Sequence, residues 1–489
     1  MKKALLLIAG ALAALIAVVL IRTVGHQPLA VESVERVEIA LDEEAIAARL
    51  AEAIRFKTIS HQSEADFEPG EFNGFIAWVA ARYPEFHAAA ELKLLGGYTM
   101  LYRWPGTDPS AQPILLTGHY DVVPVIPGTE DSWMEPPFGG VIADGVIWGR
   151  GALDDKSGVI AQLESATELM RAGFQPDRDV YFSFGHDEEV GGYRGAAEVV
   201  RYLQEAGVQL AWSLDEGSFV MDGFLAGVEP YLAPVNVAEK GSLTLEIVAT
   251  AAGGHSSIPP RQTAVGILAE AITRLEANPV PGGLSGLSEA MFDTASRYMP
   301  FTARMVFANR WLFGPLIEDQ LAAVSFTNAM LRTTTAPTML RGSVKTNVLP
   351  IEAVATVNFR LHPRDTVAGV IEHVRSVVEN ESVSVRVQEG AGTPASAVSD
   401  WNAPGFQAVD LALRQNFEEI VVVPGLMVAG SDSKHYAKAA DNAFRFNPMV
   451  VTQEDLTGFH GTNEKISVEN LARSVRIYMQ IIRLGSVAG

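Results

Sequence analysis

The sequence predicts an α/β fold: a sheet domain with helices on both faces, a smaller α+β module inserted into it, and an N-terminal transmembrane helix. Three observations carry this expectation. Between residues 114 and 217, short apolar strands alternate with amphipathic helices, as in a sheet covered by helices. From about Val235 the texture changes to half-exposed, alternating strands, until the linker 390–395 returns the chain to its first pattern. At the front, Met1-Lys-Lys precedes an unbroken apolar run over residues 4–21, closed by Arg22.

Composition narrows the function. At 489 residues the chain exceeds a single small core, and 48% hydrophobic with 19% charged residues describes a folded protein. A net charge of -21 leaves no basic stripe to neutralise phosphates, so no nucleic acid is expected as a partner. Cysteine is absent, which excludes a disulfide framework, thiolate metal sites and a cysteine nucleophile. Any metal must then be held by His, Asp and Glu. The apolar run of 18 residues just reaches bilayer-spanning length, and no small-x-small cleavage site follows it. Residues 1–22 therefore read as a signal anchor, with a cleaved signal peptide as the alternative. Its lysines would stay cytoplasmic and the rest would be exported to a periplasmic, extracellular or lumenal space.

Residues 23–40 read as a tether. A helix is expected over 41–56, with Ile46, Leu50 and Ile54 on one face and acids in its first turn, and another within 72–82. The strand at 114–117 runs into Gly118-His-Tyr-Asp121. The strand at 146–148 runs into Gly149-Arg-Gly-Ala-Leu-Asp-Asp-Lys156, and a helix follows over 157–171. A buried strand at 180–184 stops at Gly185, ahead of His186-Asp-Glu-Glu189. After a helix over 196–205, the strand at 210–214 reaches Asp215-Glu-Gly217. These elements make 41–234 the first part of the sheet domain. The inserted module, 235–389, carries strands at 240–249, 354–361 and 382–387 and helices over 263–276 and 366–379. Within it, 280–335 is Gly-, Pro- and Met-bearing and has no assigned structure. Residues 390–489 complete the sheet domain with a helix over 468–484.

Acids crowded at the end of a buried strand repel one another unless a cation or a chemical step needs their charge. His119, Asp121, Asp154, Asp155, Glu188, Glu189, Asp215 and His460 all sit in Gly-flanked loops, most of them at expected strand ends. Sites in α/β sheets gather there. One such cluster would be ordinary; the repeated placement points to a metal site.

The stretches Thr117-Gly-His-Tyr-Asp-Val-Val-Pro124, Trp148-Gly-Arg-Gly-Ala-Leu-Asp-Asp-Lys156, His186-Asp-Glu-Glu-Val-Gly-Gly192, Asp215-Glu-Gly217, Gly253-Gly-His-Ser-Ser257 and Gly458-Phe-His-Gly-Thr-Asn-Glu464 resemble the M20 metallopeptidase family, the dizinc aminoacylases and carboxypeptidases. The likeness is closest to the branch of carboxypeptidase S and the N-fatty-acyl-amino-acid synthase/hydrolases. The resemblance implies a zinc-peptidase sheet domain with an inserted lid/dimerisation domain. It implies that His119 and Asp215 hold one Zn2+, that Glu189 and His460 hold a second, and that Asp154 bridges them, chosen over Asp155 by the family's Asp-x-Lys pattern. Asp121 would fix the His119 tautomer, and Glu188 would be the general base. Two such ions, about 3.5–4 Å apart, would share a water and lower its pKa toward ~7.

The resemblance also assigns His255 to the developing oxyanion, reaching across from a partner subunit in dimeric relatives. Asn347 and Arg360 on the lid, with Ser431 in Gly430-Ser-Asp432 opposite, become candidates for the substrate carboxylate, since an arginine fork suits that group. Trp133, Trp148 and Phe459 are candidates to line an acyl pocket. The expected function is zinc-dependent hydrolysis of N-acyl amino acids or small peptides with a free carboxylate, with a homodimer as an option. The rival is a membrane-tethered binding or scaffold protein that keeps a peptidase fold; such proteins usually lack a ligand or the base, and none is missing here.

Overall fold

The computed structural model describes residues 2–28, 34–225 and 227–487. Of the expected anchor and tether, residues 1 and 29–33 lie outside the described residues. Eight strands form one mixed sheet in the spatial order Glu91–Leu95, Thr99–Trp104, Val180–Gly185, Ile114–His119, Leu210–Met221, Ala440–Val451, Tyr231–Glu239 and Ile420–Met427. The strands expected near 114, 180 and 210 lie side by side and parallel, so their carboxyl ends point the same way.

Each of these strands is covered on both faces. Ile114, Leu116, Val180, Phe182 and Phe184 enter one core with Leu50 and Ile54 of helix Glu43–Ile54, Leu163 of Lys156–Arg171, Leu413 of Pro404–Asn416 and Val475 of Val468–Gly485. Leu115 and Tyr181, one residue out of phase, enter another with Val199 and Leu203 of helix Ala196–Glu205. Double coverage makes such strands read as continuous apolar runs. Each fully buried Leu or Phe contributes roughly 1.5–3 kcal/mol.

A second, antiparallel sheet has the order Thr334–Arg341, Glu352–Leu361, Gly241–Thr250 and Val383–Thr393. Its own core joins Leu245, Ile247, Val357 and Phe359 to Leu268 of helix Ala264–Ala277 and Val374 of helix Val367–Val378. Both helices are capped by threonine: Gly266 N donates to Thr263 Oγ1 at 3.2 Å, and Gly369 N to Thr366 Oγ1 at 3.0 Å.

Two stretches differ from the sequence reading. The boundary drawn at 235 falls inside the strand Tyr231–Glu239, which belongs to the large sheet; the small sheet begins at Gly241. That strand is buried almost throughout, so it lacks the alternation that would have marked it. The unassigned segment 280–335 folds into helices Leu287–Ser296, Phe301–Ala308, Arg310–Ala322 and Ser325–Leu331. Met291, Ala295 and Met330 from this group pack on Met221, Leu232, Val421 and Val423, so it leans on the edge of the large sheet. At the front, Lys2–Gly25 is one helix long and apolar enough to cross a membrane.

Candidate metal centre

The parallel strands deliver the site. Ile114–His119 ends on His119, Val180–Gly185 stops just before His186, and Leu210–Met221 carries Asp215 and Glu216. Pairing between Ile114–His119 and Leu210–Met221 reaches only Leu116 and Leu214, so Asp215 and Glu216 lie just past the shared ladder. The loops 149–155 and 458–464 close over these ends.

Asp154 lies at the middle of the cluster. Its Oδ1 is 3.0 Å from His119 Nε2 and its Oδ2 is 3.1 Å from His460 Nε2, so each carboxylate oxygen faces one imidazole. His460 Nε2 also lies 3.2 Å from Glu189 Oε2. Ligand atoms of His119, Asp154 and Glu189 fall within 4.8 Å of one another, as do those of His119, Glu188 and Glu216. The site therefore has two lobes that share His119, with Asp154 in the one at Glu189.

The ligand atoms of Asp215 fall outside both groups. Its Oδ1 accepts the hydroxyl of Thr117, while Glu216 Oε1 sits 3.5 Å from His119 Nε2. Asp215 Oδ2 is buried with no hydrogen-bond partner among the described residues, as Glu189 Oε1 is. The strand bulges at this point, Arg445 and Phe446 pairing with Asp215 and Ser218, so simple alternation does not hold across the pair. Glu216 is thus a second acid beside His119 that the sequence reading did not name. Asp155 turns away from the cluster: it is buried and accepts Asn447 Nδ2 at 2.7 Å. A Cβ on Gly118 would lie 2.6 Å from Asp155 Oδ2, and one on Gly158 2.3 Å from its Oδ1, so both positions need glycine.

Asp121 is the organiser. Fully buried, it accepts Ser60 Oγ at 2.5 Å, Glu188 N at 3.2 Å and Glu189 N at 3.1 Å, and its Oδ1 lies 3.4 Å from His119 Nδ1. Asp121 thereby orients His119, whose Nδ1 lies 3.0 Å from the Asp121 backbone carbonyl, and its carboxylate fixes the Glu188–Glu189 turn. Glu464 does the same for the Asp154 loop. Its Oε1 accepts Gly151 N, Leu153 N and Asp154 N at 3.0, 2.7 and 3.1 Å, and Arg150 Nη1 lies 2.7 Å from its Oε2. His186 and Asp187 shape the turn: Thr99 Oγ1 pairs with His186 Nδ1 at 2.6 Å, and Arg194 N donates to Asp187 Oδ2 at 2.8 Å.

The electrostatics fit a cation. Burial pushes Glu188 well above the usual carboxylate range, with His119 opposing and Glu216 adding to the rise. Burial, with Asp154 and others nearby, raises Glu216 to about 7. Burial would raise Asp154 as well, but hydrogen bonds from His119 and His460 hold it below its ordinary value. Hydrogen bonds to Asp154 and Glu189 raise His460 to about 10. Glu189 Oε1 is buried with no hydrogen-bond partner among the described residues. Buried carboxylates left unpaired this way are tolerated where a metal takes the charge, and a His/carboxylate donor set suits zinc-type ions. The residues present fit such a group.

The substrate-side candidates are more dispersed. His255 and Asn347 come together: His255 pairs with Val348 in a two-stranded ribbon, and Ser256 N donates to Asn347 O at 3.1 Å. His255 is exposed, its Nδ1 paired with Ser257 Oγ at 2.7 Å. Arg360 is exposed on the small sheet, opposite Ser242 and Thr334. Ser431 is fully buried, with its Oγ accepting Ser433 N at 3.2 Å. Among the described residues none of the four hydrogen-bonds the carboxylate cluster. Phe459, beside His460, stacks on Phe219 with ring centroids 5.7 Å apart. Trp133 and Trp148 instead carry the cations Arg150 and Lys465 over their rings.

The model of peptidase family M20/M25/M40 matches residues 115–484. The chain is 38% identical over 443 residues to the probable carboxypeptidase S-like 2 of Dictyostelium discoideum, covering 90% of this chain and 84% of that protein. It is also 38% identical over 481 residues to the N-fatty-acyl-amino acid synthase/hydrolase PM20D1 of Xenopus tropicalis, covering 96% and 93%. The M20 family metallo-carboxypeptidase Sso-CP2 from Sulfolobus solfataricus shares the fold, with a TM-score of 0.62 at 17% identity, covering 92% of this chain and 100% of that one. By sequence match, relatives and fold, this chain belongs to the M20/M25/M40 peptidase family of metal-dependent hydrolases.

Proposed function

We propose that the chain is a dizinc amidohydrolase that cleaves N-acyl amino acids or small peptides bearing a free carboxylate. The observation that carries this is the Asp154 carboxylate, with Oδ1 at 3.0 Å from His119 and Oδ2 at 3.1 Å from His460, the arrangement a bridging ligand needs. In this reading His119 and Asp215, whose Oδ2 is buried and unpartnered, would hold one Zn2+, with Glu216 beside them, and Glu189 and His460 the other. When bound, the two ions would polarise the amide carbonyl and make a water acidic enough to ionise near neutral pH.

The chain's own groups do the rest. Glu188, its backbone N–H held by Asp121, takes the proton of the attacking water and passes it to the leaving amine. Burial makes its carboxylate a stronger proton acceptor than a free glutamate. Asp121 keeps His119 oriented through Nδ1. His255 donates to the developing oxyanion, and Asn347, Arg360 and the Gly430-Ser431-Asp432 loop receive the substrate carboxylate. Because His255 is exposed, it reaches the site when the small sheet closes over it or from a second copy of the chain in a homodimer. The relative named for N-fatty-acyl-amino acids favours acyl amino acids as substrates. The helix Lys2–Gly25 would anchor the protein in a membrane, with the catalytic part outside the cytoplasm.

The test is Glu188→Gln in the zinc-loaded chain. Hydrolysis of N-acyl amino acids should fall by about 10²–10⁴-fold, while metal content by mass spectrometry stays unchanged. Retained turnover would sink the mechanism, and absence of zinc after purification would favour the scaffold reading.

A further inference from the structure

The segment 287–331 carries a feature that the catalytic reading leaves unused. Its helix Phe301–Ala308 runs antiparallel to the end of the helix Lys2–Gly25. At one end, Arg304 Nη1 donates to Gln27 Oε1 at 2.9 Å; at the other, Arg22 Nε donates to Ala308 O at 3.1 Å, and Asn309 Nδ2 to Val19 O at 3.2 Å. Thr23 and Asn309 are fully buried in this joint, and His26 Nε2 pairs with Ser296 Oγ at 2.9 Å. The apolar helix is thus docked on the folded body by its last turns, and the rest of it projects free.

The next helix, Arg310–Ala322, starts where Asn309 touches Val19, at the end of the joint nearer the projecting part. Trp311 Nε1 donates to Asn309 Oδ1 at 3.3 Å, so the indole is tied to the level of Val19. Trp311, Leu312 and Leu316 are 57%, 40% and 51% exposed, and with Pro315 they form one stripe at i, i+1, i+4 and i+5. On the other side Ile317 is buried, and Arg310 turns back to Glu289 at 2.8 Å. Phe301, at the far end of the joint, is not part of the stripe.

The depth follows from arithmetic. Residues 4–21 rise about 1.5 Å each and span about 27 Å, slightly less than the ~30 Å hydrocarbon core of a bilayer. Val19 then lies at the outer margin of that core and Arg22 among the headgroups. Indole rings with one wet end prefer this depth. We propose that the Trp311–Leu312–Pro315–Leu316 face of the helix Arg310–Ala322 rests in the outer interface of the lipid bilayer that Lys2–Gly25 crosses, fixing the catalytic body against the membrane rather than on a free tether. The proposal rests on the anchor reading of Lys2–Gly25.

Because the chain has no cysteine, single labelling sites can be placed cleanly. Leu12→Cys, Leu316→Cys and Val344→Cys would each be spin-labelled in the full-length protein in phosphatidylcholine/phosphatidylglycerol nanodiscs. Relaxation by lipid-soluble oxygen would be compared with relaxation by a water-soluble nickel chelate. Position 12 tests the anchor, and position 344, on the exposed small-sheet loop, is the aqueous reference. The proposal expects the oxygen-to-nickel ratio at 316 to exceed that at 344 several-fold and to fall below that at 12. A label at 316 as wet as at 344, with 12 in lipid, overturns the proposal and leaves the anchor standing. A wet label at 12 overturns both. Dipolar broadening at 316 between copies, with both reagents excluded, assigns the face to self-association and also overturns it.

Discussion

At the carboxylate cluster the side chains other than the exposed His460 are gripped from several directions: Asp121 is fully buried and holds a serine hydroxyl and two backbone amides. On the small sheet, His255 stands exposed beside Ile258, which is 84% exposed, and on the loop toward Asn347, Val344 is 98% exposed. The groups proposed for bond chemistry are therefore preorganised on a rigid sheet, where donors need no reorganisation at the moment of reaction. Those proposed for recognition, the 430–432 loop aside, sit on a module with its own core, joined to the large sheet at Lys240, whose ammonium is held by the carbonyls of Ala329 and Arg332. Specificity can change there without disturbing the cluster.

The sharpest way to break this contrast is Glu216→Ala beside Asp215→Asn. If Asp215 is the ligand, its loss should lower zinc from about two ions per chain toward one and abolish most hydrolysis. Glu216→Ala should keep both ions and lose only part of the activity, because it removes the charge 3.5 Å from His119. The reverse outcome in metal analysis would make Glu216 the ligand.

Next in size is Asp121→Asn, which keeps the shape but removes the charge facing His119 and the Glu188–Glu189 amides. Zinc affinity or kcat should drop about 10–100-fold, read by competition with a chelator. An unchanged affinity and rate would mean the cluster does not depend on this support. On the exposed side, mixing inactive His255→Ala and Glu188→Gln chains asks whether His255 acts from a second copy. Recovery of activity on mixing requires action in trans; none, with light scattering showing mixed dimers, places it in cis after closure.

The smallest effect concerns protons. In the metal-free chain, hydrogen bonds to Asp154 and Glu189 raise His460 to about 10. The stability these contacts give that chain is fully present below the ordinary histidine value of about 6.5 and is lost as pH rises through the raised one. A metal needs the neutral ring, so zinc uptake at neutral pH should release a proton from this position, and apparent affinity should climb with pH. Calorimetry in buffers of different ionisation enthalpy would detect the release; its absence would show that His460 is already neutral.

Much of this was legible in the sequence because the informative elements are locally consistent. The helices at 43–54, 156–171 and 196–205 carry clean apolar faces, and the acids follow strands closed by glycine. The approach of Glu216 to His119 was not legible, because which of two adjacent acids faces a site depends on the strand's register and on the bulge between Asp215 and Ser218. The helices of 287–331 were missed because they are short, and Pro300, Pro315 and Gly282-Gly283 interrupt any period. Their apolar faces are also divided between the sheet edge and the N-terminal helix, so no single stripe accumulates.

Glu464 gives the molecule an order of assembly. The loop that presents Asp154 finds the acceptor for its amides at Gly151, Leu153 and Asp154 more than three hundred residues later. His460, four positions before Glu464, is made long after the strands that end at His119 and Gly185. During translation those strands can pair, but the Asp154 loop and the lobe at Glu189 stay open until residues 460–464 arrive. Completion of the cluster is therefore tied to completion of the core: a chain cut short before residue 460 would lose His460 and Glu464 together with the helix Val468–Gly485, whose Val475 and Ile482 are fully buried in the main core.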